Sequence, residues 1–517
     1  MNDTFARDRV KPRESAGIRA TKIDRILLLI GLVVLFACLS PEIPASATLE
    51  LKPVAEPILS PLTTQLSFDR FEMQAEAEAG VDWVKAEDLD IAAEGDSTQI
   101  FENDGYLRGW THARGIGDAL LRPTKWWNCG WSFRVAVDVG VGAYERYDKP
   151  VEVALNFTDL LTGLGEIGAL DEDSIRMIEV DAQGDVLDAG VPFQFDKGAE
   201  YDAASNASGT LVFLLGGTTA PNTTRRFHVY FDVTGSSFSP PSFPARVSLT
   251  DGVMHEDQES YKIITQNATY YYHKVGAGFA SMEDIDGEDW IGYHPGGGSA
   301  GEYRGIPNMN DFAHPGDVSE ALRGESMVVN QGPLKITIFS ERWDQEAATT
   351  WEMYPEYAKM TVNQMPSTYL WGYEGTPGGT LELDDYYLMS DGLQRSLSEN
   401  WSAGDMAGPE WVYFGDQVKS RKLFLIHHED DDKSDQYWTM NGEMTVWGFG
   451  RTYPCCNPSM DIFPGHFTIG FADETTFEAT SKIIDSSYQD LAITQGAAEF
   501  NDCVSLPHWA FLPMVSR

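Results

Sequence analysis

The chain has few basic residues for its length. It contains 37 Lys and Arg against 79 Asp and Glu in 517 residues, which gives a formal net charge of −42 at pH 7. A surface with this charge repels nucleic acid and anionic membranes, so neither is expected as a partner. The charge favours solubility in a salty environment, or calcium binding by local groups of carboxylates. It also disfavours a polyanionic substrate, unless basic residues line the site.

Long apolar runs are scarce as well, and the clearest one lies near the N-terminus. Residues 26–39 follow a stretch rich in Arg and Lys and precede Ala-Ser-Ala at 45–47. This order is typical of a secretory signal peptide, here residues 1–47, and the run is short for a membrane span. An alternative to cleavage after Ala47 is a lipoprotein signal in which Cys38 carries a lipid anchor. Both predict a secreted, periplasmic or cell-surface protein without a membrane span in the mature chain.

Cysteine is rare, with five residues in the whole chain. Beyond the signal peptide these are Cys129, Cys455, Cys456 and Cys503, and in an exported protein we expect disulfides rather than catalytic thiols. A bond between the adjacent Cys455 and Cys456 would strain the peptide that joins them. Bonds from this pair to Cys129 and Cys503 are therefore favoured. Zinc binding is the alternative, although the spacing fits no common zinc motif.

Helical periodicity is almost absent, whereas aromatic and β-branched residues alternate with polar ones between Gly and Pro. This pattern predicts an all-β protein. We expect a linker and an irregular segment over 48–130, a β-sandwich over 131–235 and, after a Ser- and Pro-rich boundary, a larger domain over 249–517. The elements predicted in the larger domain are strands at 261–265, 269–274, 334–340, 349–353, 358–363, 368–373, 411–414, 422–427, 444–449 and 466–471, and one helix at about 475–489.

The most informative segment is residues 270–308, YYYHKVGAGFASMEDIDGEDWIGYHPGGGSAGEYRGIPN. It places an aromatic strand, a glycine break, a second strand, a tight acidic turn and a glycine-rich loop in series. This order resembles the opening strands of the galactose-mutarotase-like β-supersandwich, which occurs in carbohydrate epimerases, polysaccharide lyases and glycoside hydrolases. The resemblance extends over about 255–475. It implies an N-terminal β-sandwich followed by a two-sheet β-supersandwich that binds or acts on a polysaccharide or oligosaccharide.

The glycine-rich loop ends with Glu302, Tyr303 and Arg304. In an extended chain Glu302 and Arg304 project to the same side, and the glycines let the backbone approach a ligand closely. The guanidinium fork of Arg304 suits paired sugar hydroxyls or a carboxylate. We predict that Glu302 and Arg304 bind substrate. The alternative is a Glu–Arg pair that only fixes a long loop.

Four residues are candidates for acid–base catalysis. His314 lies on a loop beside Gly and Pro, and histidine titrates near neutrality. Glu374 ends an aromatic strand, which is where the resemblance places a general base. His428 and Tyr437 would supply the base and the acid of a β-elimination. Because consecutive strand residues point to opposite faces, at most one of His427 and His428 faces a cleft.

An acidic run follows the two histidines. Asp430, Asp432 and Asp435 would bind calcium if their carboxylates converge, and calcium is the one cofactor that we predict. A solvated loop is the alternative for such a run. Nearby, Trp438 is a candidate for stacking on a sugar ring. Arg451 is a candidate for binding substrate, since its guanidinium suits a carboxylate.

These residues favour an exported carbohydrate-active enzyme, with a lyase ahead of a hydrolase. In a lyase, one group removes the proton next to the uronate carboxylate and another protonates the leaving oxygen. In this reaction Arg304 or Arg451 would neutralise the carboxylate, which must happen before the neighbouring carbon becomes acidic enough to lose its proton. A glycoside hydrolase needs two carboxyl groups instead, for which Glu302, Glu374 and Asp430 are the candidates.

Two further functions are compatible with the sequence. A sugar epimerase would need a His and a Glu in one pocket, which His314 or His428 together with Glu374 would supply. A non-catalytic glycan-binding or envelope protein is the alternative from a different class. It is kept because we see no sequence pattern of an α/α-toroid domain, which many lyases of this superfamily use to build their cleft.

Overall fold

The computed structural model describes residues 125–235, 237–293, 304–316, 322–452, 457–501 and 503, together with short strands at 102–103 and 106–107. The predicted signal peptide 1–47 and Cys38 lie outside these residues, as do Glu302, Cys455 and Cys456. The chain divides into two compact units, Met1–Arg114 and Gly115–Arg517. No helix in the described ranges is long and apolar enough to cross a membrane.

The first unit contributes one pair of short strands, and all other described elements belong to the second unit. The pair is β1 (Glu102–Asn103) and β2 (Tyr106–Leu107). The next elements are β3 (Phe133–Gly140), β4 (Arg146–Asn156), helix α1 (Phe157–Leu164), β5 (Leu170–Val180), β6 (Val186–Asp188), β7 (Phe193–Lys197), β8 (Ser208–Thr219) and β9 (Thr224–Val233).

The remaining elements follow a Ser- and Pro-rich connection. They are β10 (Ser248–His255), β11 (Gln258–Ile264), β12 (Ala268–His273), β13 (Gly278–Asp284), β14 (Gly305–Asn308), β15 (Gly324–Gln331), β16 (Ile336–Arg342), β17 (Ala348–Met353), β18 (Tyr357–Gln364), β19 (Trp371–Gly375), β20 (Tyr386–Met389), β21 (Gln394–Ser396), β22 (Trp401–Gly404), β23 (Trp411–Gly415), β24 (Arg421–His427), β25 (Asp435–Trp438), β26 (Thr445–Phe449), β27 (Arg451–Thr452), β28 (Asn457–Pro458), β29 (Gly465–Asp473), helix α2 (Phe477–Tyr488) and β30 (Ala492–Phe500), with 3₁₀ turns at Pro377–Gly379 and Met440–Gly442.

The first seven strands of the second unit form a small β-sandwich with the last strand. One sheet has the order β30–β3–β9–β5–β6 and the other has the order β4–β8–β7. The alternating sequence of β3 buries Val135, Val137 and Val139 between the sheets, as expected for a strand with one covered face. Helix α1 begins at an Asn156 cap, whose side chain accepts hydrogen bonds from two backbone amides of the first turn.

Most of the strands from β10 to β29 form two antiparallel sheets of nine strands each. The first large sheet has the order β10–β11–β12–β13–β14–β19–β26–β25–β22, and the second has the order β15–β16–β17–β18–β29–β24–β23–β20–β21. Their facing sides enclose a core rich in fully buried aromatic side chains, which we call the aromatic layer; it includes Trp290, Trp351, Trp371, Tyr373 and Trp447. The prediction of an all-β chain with a small sandwich before a two-sheet supersandwich is confirmed.

The chain returns to the small sandwich at its C-terminal end. Strand β30 lies in the range 249–517 that the sequence assigns to the larger domain, but it pairs with β3 along its length. A disulfide between Cys129 and Cys503 joins the chain just before β3 to the chain just after β30. The predicted bonds from Cys455 and Cys456 to these two cysteines are therefore corrected, because the antiparallel pairing of β3 with β30 brings Cys129 and Cys503 to each other.

The small sandwich and the second large sheet share a buried ion cluster. The ammonium of Lys335 contacts the carboxylates of Glu152 at 2.6 Å, Asp196 at 3.1 Å and Glu352 at 3.0 Å. Burial opposes the charge of Lys335, but the three carboxylates outweigh this effect and raise its pKa. The amide of Gln194 adds hydrogen bonds to the backbone of this segment. A buried cation with three anions specifies one arrangement of the two sandwiches, because a shifted arrangement would leave charges unpaired.

The disulfide gives a direct test of the role of β30. It links residues that are 374 positions apart in sequence, so its loss increases the conformational freedom of the unfolded chain greatly. We expect Cys503→Ser to lower the free energy of unfolding by roughly 2–5 kcal/mol, measured by urea denaturation. Cys129→Ser should cost the same amount, and neither variant should respond further to reducing agent. Unchanged stability in both variants would contradict this description of the C-terminal strand.

Candidate functional site

Glu374 lies on the outer face of the first large sheet. Since Trp371 and Tyr373 point into the aromatic layer, Glu374 points to the opposite side of β19. Gly305 of β14 is directly opposite Glu374 on one side, and Val446 of β26 is opposite on the other. Glu374 is nevertheless only 8% exposed. A further segment of chain must therefore cover it.

The covering segment is the loop that follows β14. Pro315 lies so close to Gly278 and Gly305 that a β-carbon at either glycine would come within 3.0 Å of it. Only glycine permits such an approach of the loop to the sheet. The approach brings Nε2 of His314 to 3.7 Å from Oε2 of Glu374, with both side chains mostly buried. The two predicted acid–base residues therefore form a pair.

Arg304 reaches the same region from the residue before β14. It is 8% exposed, and its Nη1 donates a hydrogen bond to the carbonyl of Gly292 at 3.3 Å. Gly292 packs closely on Thr376, which lies two residues beyond Glu374. A β-carbon on Gly292 would lie 2.9 Å from the Thr376 hydroxyl. These contacts hold the guanidinium near the end of the strand that carries Glu374.

Arg451 lies flat on the outer face of the same sheet. Its side chain covers Gly448, where a β-carbon would lie 2.8 Å from Cβ and Cδ of Arg451. Gly448 pairs with Gly372 of β19, and the missing β-carbon of Gly448 leaves room for the aliphatic part of the Arg451 side chain. Burial lowers the pKa of Arg451, and the negative charge of Glu374 opposes that shift. The charge of Arg451 is thus balanced in part by Glu374.

The four side chains, which we call the His–Glu–Arg cluster, combine an imidazole, a carboxylate and two guanidinium groups. The imidazole and the carboxylate suit proton transfer, and the guanidinium groups suit an anionic ligand. A cavity of about 60 Å³ lies beside Arg451, lined also by Asn308, Asn310 and the backbone around Trp447. In the described ranges, no group of three or more His, Cys, Asp or Glu side chains is arranged to hold a metal ion.

Tyr293 is a polar neighbour of the cluster that the sequence did not single out. A β-carbon on Gly316 would lie 2.5 Å from the Tyr293 hydroxyl. Tyr293 therefore packs on the loop that carries His314. The ring of His273 meets Tyr293 edge-on, with centroids 5.2 Å apart. Burial lowers the pKa of His273 to about 3, so this imidazole is neutral. The signal that could have identified His273 is the YYYH sequence of β12, in which His273 alternates with tyrosines of the core.

Trp438 lies on the same outer face as Glu374. It is opposite Val446, which is itself opposite Glu374, so the two residues are about 10 Å apart across two strand spacings. Trp438 is half-buried against Val446 and Met444. This placement keeps it beside the His–Glu–Arg cluster, as a sugar-stacking residue would require.

His428 and Tyr437 lie apart from the cluster and from each other. His428 follows β24 of the second large sheet, and its Nε2 is hydrogen-bonded to the hydroxyl of Thr468 at 2.8 Å. Tyr437 belongs to β25 of the first large sheet, where it is fully buried in the aromatic layer and donates to the carbonyl of Leu397 at 2.8 Å. The prediction that they form one acid–base pair is corrected, because consecutive strands of the chain enter different sheets.

The three aspartates proposed for calcium do not share a site. Asp435 is buried and accepts hydrogen bonds from the amides of Met406 and Gly450. Burial and repulsion from Glu410 raise its pKa well above the usual range. The Asp432 side chain is 96% exposed, and Asp430 is exposed as well. Calcium binding by this set therefore stays a prediction that the geometry of the described residues does not favour.

A second polar network was also missed by the sequence. Nδ1 of His427 contacts Glu410 at 2.5 Å, its Nε2 lies 3.4 Å from Glu429, and Glu429 contacts Nδ1 of His466 at 2.6 Å. Burial raises the pKa of Glu410 despite its hydrogen bond to His427. Burial would also raise the pKa of Glu429, but hydrogen bonds from His466 outweigh it and lower the value. The network joins residues from the ends of β23, β24 and β29, which no local spacing reveals.

Comparison with known proteins adds little to this geometry. No family model matches the chain, and no curated protein matches it. A solved structure from Enterococcus faecalis, described as a protein in the glycosyl hydrolase family 38, is similar with a TM-score of 0.43 and 11% sequence identity. The match covers 71% of this chain and 47% of that one. This chain therefore spans about half of that protein's length.

The position of Arg451 can be tested through the glycine beneath it. We expect Gly448→Ala to displace the Arg451 side chain and to lower the free energy of unfolding by about 1–3 kcal/mol, the usual cost of overpacking. Gly216→Ala is the matched control, since a β-carbon there meets nothing within 4 Å and should change stability by less than about 0.5 kcal/mol. Urea denaturation gives both values. Equal effects of the two substitutions would show that Arg451 does not lie on Gly448.

Proposed function

We propose that the chain is an exported carbohydrate-active enzyme that takes up an acidic sugar at the His–Glu–Arg cluster and cleaves a polysaccharide by β-elimination. The observation that carries this proposal is the 3.7 Å distance between Nε2 of His314 and Oε2 of Glu374, on a sheet face that also buries Arg451, with Arg304 buried at the end of the same strand. Two guanidinium groups in a chain of net charge −42 provide the local positive charge that an anionic substrate needs.

Each member of the cluster has a role in such a reaction. His314 takes the proton from the carbon next to the uronate carboxylate, and Glu374 stabilises the imidazolium that forms. Arg304 and Arg451 neutralise the carboxylate, which makes that proton acidic enough to leave. A double bond forms as the bond to the glycosidic oxygen breaks, and Tyr293 donates a proton to that oxygen.

β-Elimination fits the described residues better than hydrolysis. Hydrolysis requires two carboxyl groups on either side of the scissile bond, and Glu374 is the one carboxylate of the cluster as defined. An epimerase would use the same His–Glu pair. Trp438, on the same face, would stack on a neighbouring sugar ring of the polymer.

The proposal also includes export of the protein to an oxidising compartment. The N-terminal sequence predicts a signal peptide over 1–47, with lipidation at Cys38 as the alternative. The disulfide between Cys129 and Cys503 supports a compartment outside the cytosol, because such bonds persist in oxidising environments. We therefore propose a secreted, periplasmic or cell-surface location.

Glycan binding without catalysis is the second candidate function. The cavity beside Arg451 is about 60 Å³, whereas small-molecule sites usually occupy roughly 300–1,000 Å³. If the loop that carries His314 stays closed, only the outer rim with Trp438 would contact a glycan. This candidate predicts retention on a glycan without any product.

The proposal is tested by incubating residues 48–517 with neutral and uronate polysaccharides, with and without calcium. We expect unsaturated-uronate absorbance and reducing ends to rise together on a uronate polymer. His314→Gln should lower that rate by about 10²–10⁴-fold, the typical contribution of a general base.

Tyr437→Phe is the control, since it removes only a core hydrogen bond and should keep the wild-type rate. A rise of reducing ends alone would indicate hydrolysis and contradict the elimination. If the wild-type protein forms no product from any polymer but is retained on one of them, glycan binding without catalysis is favoured.

A further inference from the structure

The small cavity beside Arg451 has walls that are largely apolar. Its volume is about 60 Å³, and its lining consists of Asn308, Asn310, Leu370, Gly372, Val446, Trp447 and Arg451. Leu370 is 5% exposed and Val446 is 2% exposed, so both side chains are withdrawn from solvent. None of these lining residues is acidic. The cavity therefore does not suit a cation.

Strand register places the cavity next to the carboxylate of the His–Glu–Arg cluster. Val446 is directly opposite Glu374, and Gly372 lies two residues before Glu374 in β19. All three positions face outward, because Tyr373 and Trp447 point into the aromatic layer. Adjacent strands lie about 5 Å apart. A substrate held at the cluster can therefore place one of its substituents in the cavity.

One polar group on the cavity wall has no partner in the protein. A β-carbon on Gly372 would lie 3.7 Å from Cβ of Asn308, so Asn308 is on the same face. Its side-chain amide makes no hydrogen bond with any residue that the structure describes. The amide of Asn310, in contrast, donates to Asp311 at 2.7 Å and accepts from the backbone of Leu370 at 3.3 Å.

The two asparagines also mark the mouth of the cavity. Asn308 and Asn310 are partly exposed, whereas Leu370, Val446 and Arg451 are buried. A ligand group that enters between the asparagines meets the free amide of Asn308 first and the apolar walls behind it. The amide supplies hydrogen-bond donors and an acceptor.

The size and the chemistry of the cavity select among the groups that polysaccharides carry. A water molecule occupies about 30 Å³ in the liquid, so this cavity of about 60 Å³ admits a few non-hydrogen atoms and no sugar ring. A hydroxyl would leave the apolar walls uncovered. A carboxylate would lose its hydration against Leu370 and Val446, so we leave the substrate carboxylate at the cluster, outside the cavity. An acetyl group matches both the apolar walls and the amide of Asn308.

We propose that this cavity, here called the acetyl pocket, selects an acidic polysaccharide that carries acetyl groups. The inference rests on the proposed function, because it names the substrate class of that same site. Asn308 donates a hydrogen bond to the acetyl carbonyl, and Val446 packs on the acetyl methyl. Both residues determine specificity and take no part in bond breaking. An O-acetyl ester and an N-acetyl amino sugar share this chemistry.

The proposal is tested by isothermal titration calorimetry on a His314→Gln background, which prevents cleavage. The ligands are oligomers of O-acetylated alginate and of hyaluronan, each compared with its deacetylated form. The first pair measures an acetyl ester and the second an acetyl amide. We expect the acetylated form of one polymer to bind at least about tenfold more tightly, since its absence leaves a methyl site empty and a hydrogen bond unmade.

Two variants remove the acetyl pocket by different contacts. Val446→Leu fills the methyl site with one more methylene group, and it should reduce the preference for acetylated ligand to less than about threefold. Asn308→Leu removes the hydrogen-bond donor at similar size and should reduce the preference as well. Val329→Leu is the matched control for Val446→Leu, since Val329 on β15 is 52% exposed, and should keep the full preference.

The outcomes separate the acetyl pocket from the elimination. Equal affinity for the acetylated and deacetylated forms of both polymers would overturn the pocket, as would a preference that survives in both Val446→Leu and Asn308→Leu. Acetyl preference without unsaturated product from the wild-type protein would contradict the elimination and support the pocket. Product formed at equal rates from acetylated and deacetylated polymer would overturn the pocket and support the elimination.

Discussion

The aromatic layer between the two nine-stranded sheets is the constraint on which the other features depend. Fully buried rings such as Trp371 and Trp447 occupy one face of their strands, and strand residues alternate between faces. The residues before and after each of these rings in the strand therefore point to the outer face of the sheet. In β19 this rule buries Tyr373 in the core and turns Glu374 outward, and in β25 it buries Tyr437 and turns Trp438 outward. A shift by one residue in either strand would exchange these roles.

Part of each outer face is covered by another segment of the chain, and polar side chains lie buried beneath these segments. On the first large sheet, the loop with His314 packs on glycines and covers Glu374, whose charge acts on the buried Arg451. On the second, the small sandwich packs over His428 and encloses two lysines and several carboxylates. Buried charges are costly unless they are paired or bind a ligand. The His–Glu–Arg cluster is one of the places where this chain accepts that cost, and it is the one where we propose catalysis.

The sequence predicted the strands and the fold class well, because alternation with one covered face is a local signal. It also singled out His314, Glu374, Arg304 and Arg451, and it offered His314 with Glu374 as one of two possible His–Glu pairs. Their proximity could not be read from the sequence, since β14 pairs with β19 across more than sixty residues of chain. The pairing of His428 with Tyr437 failed for the same reason: residues close in sequence lie in different sheets. The contact of β30 with β3 is likewise a long-range feature without a local signal.

The most direct measurement is the histidine ring spectrum of the protein by NMR during titration with an oligouronate, with His314→Gln used to assign the His314 signals. If the His–Glu–Arg cluster takes up an acidic sugar, the His314 signals shift with the added ligand, and Arg451→Met abolishes that shift. If the His314 signals stay unchanged while the ligand binds elsewhere, the cluster is a structural element of the loop and the central claim is wrong.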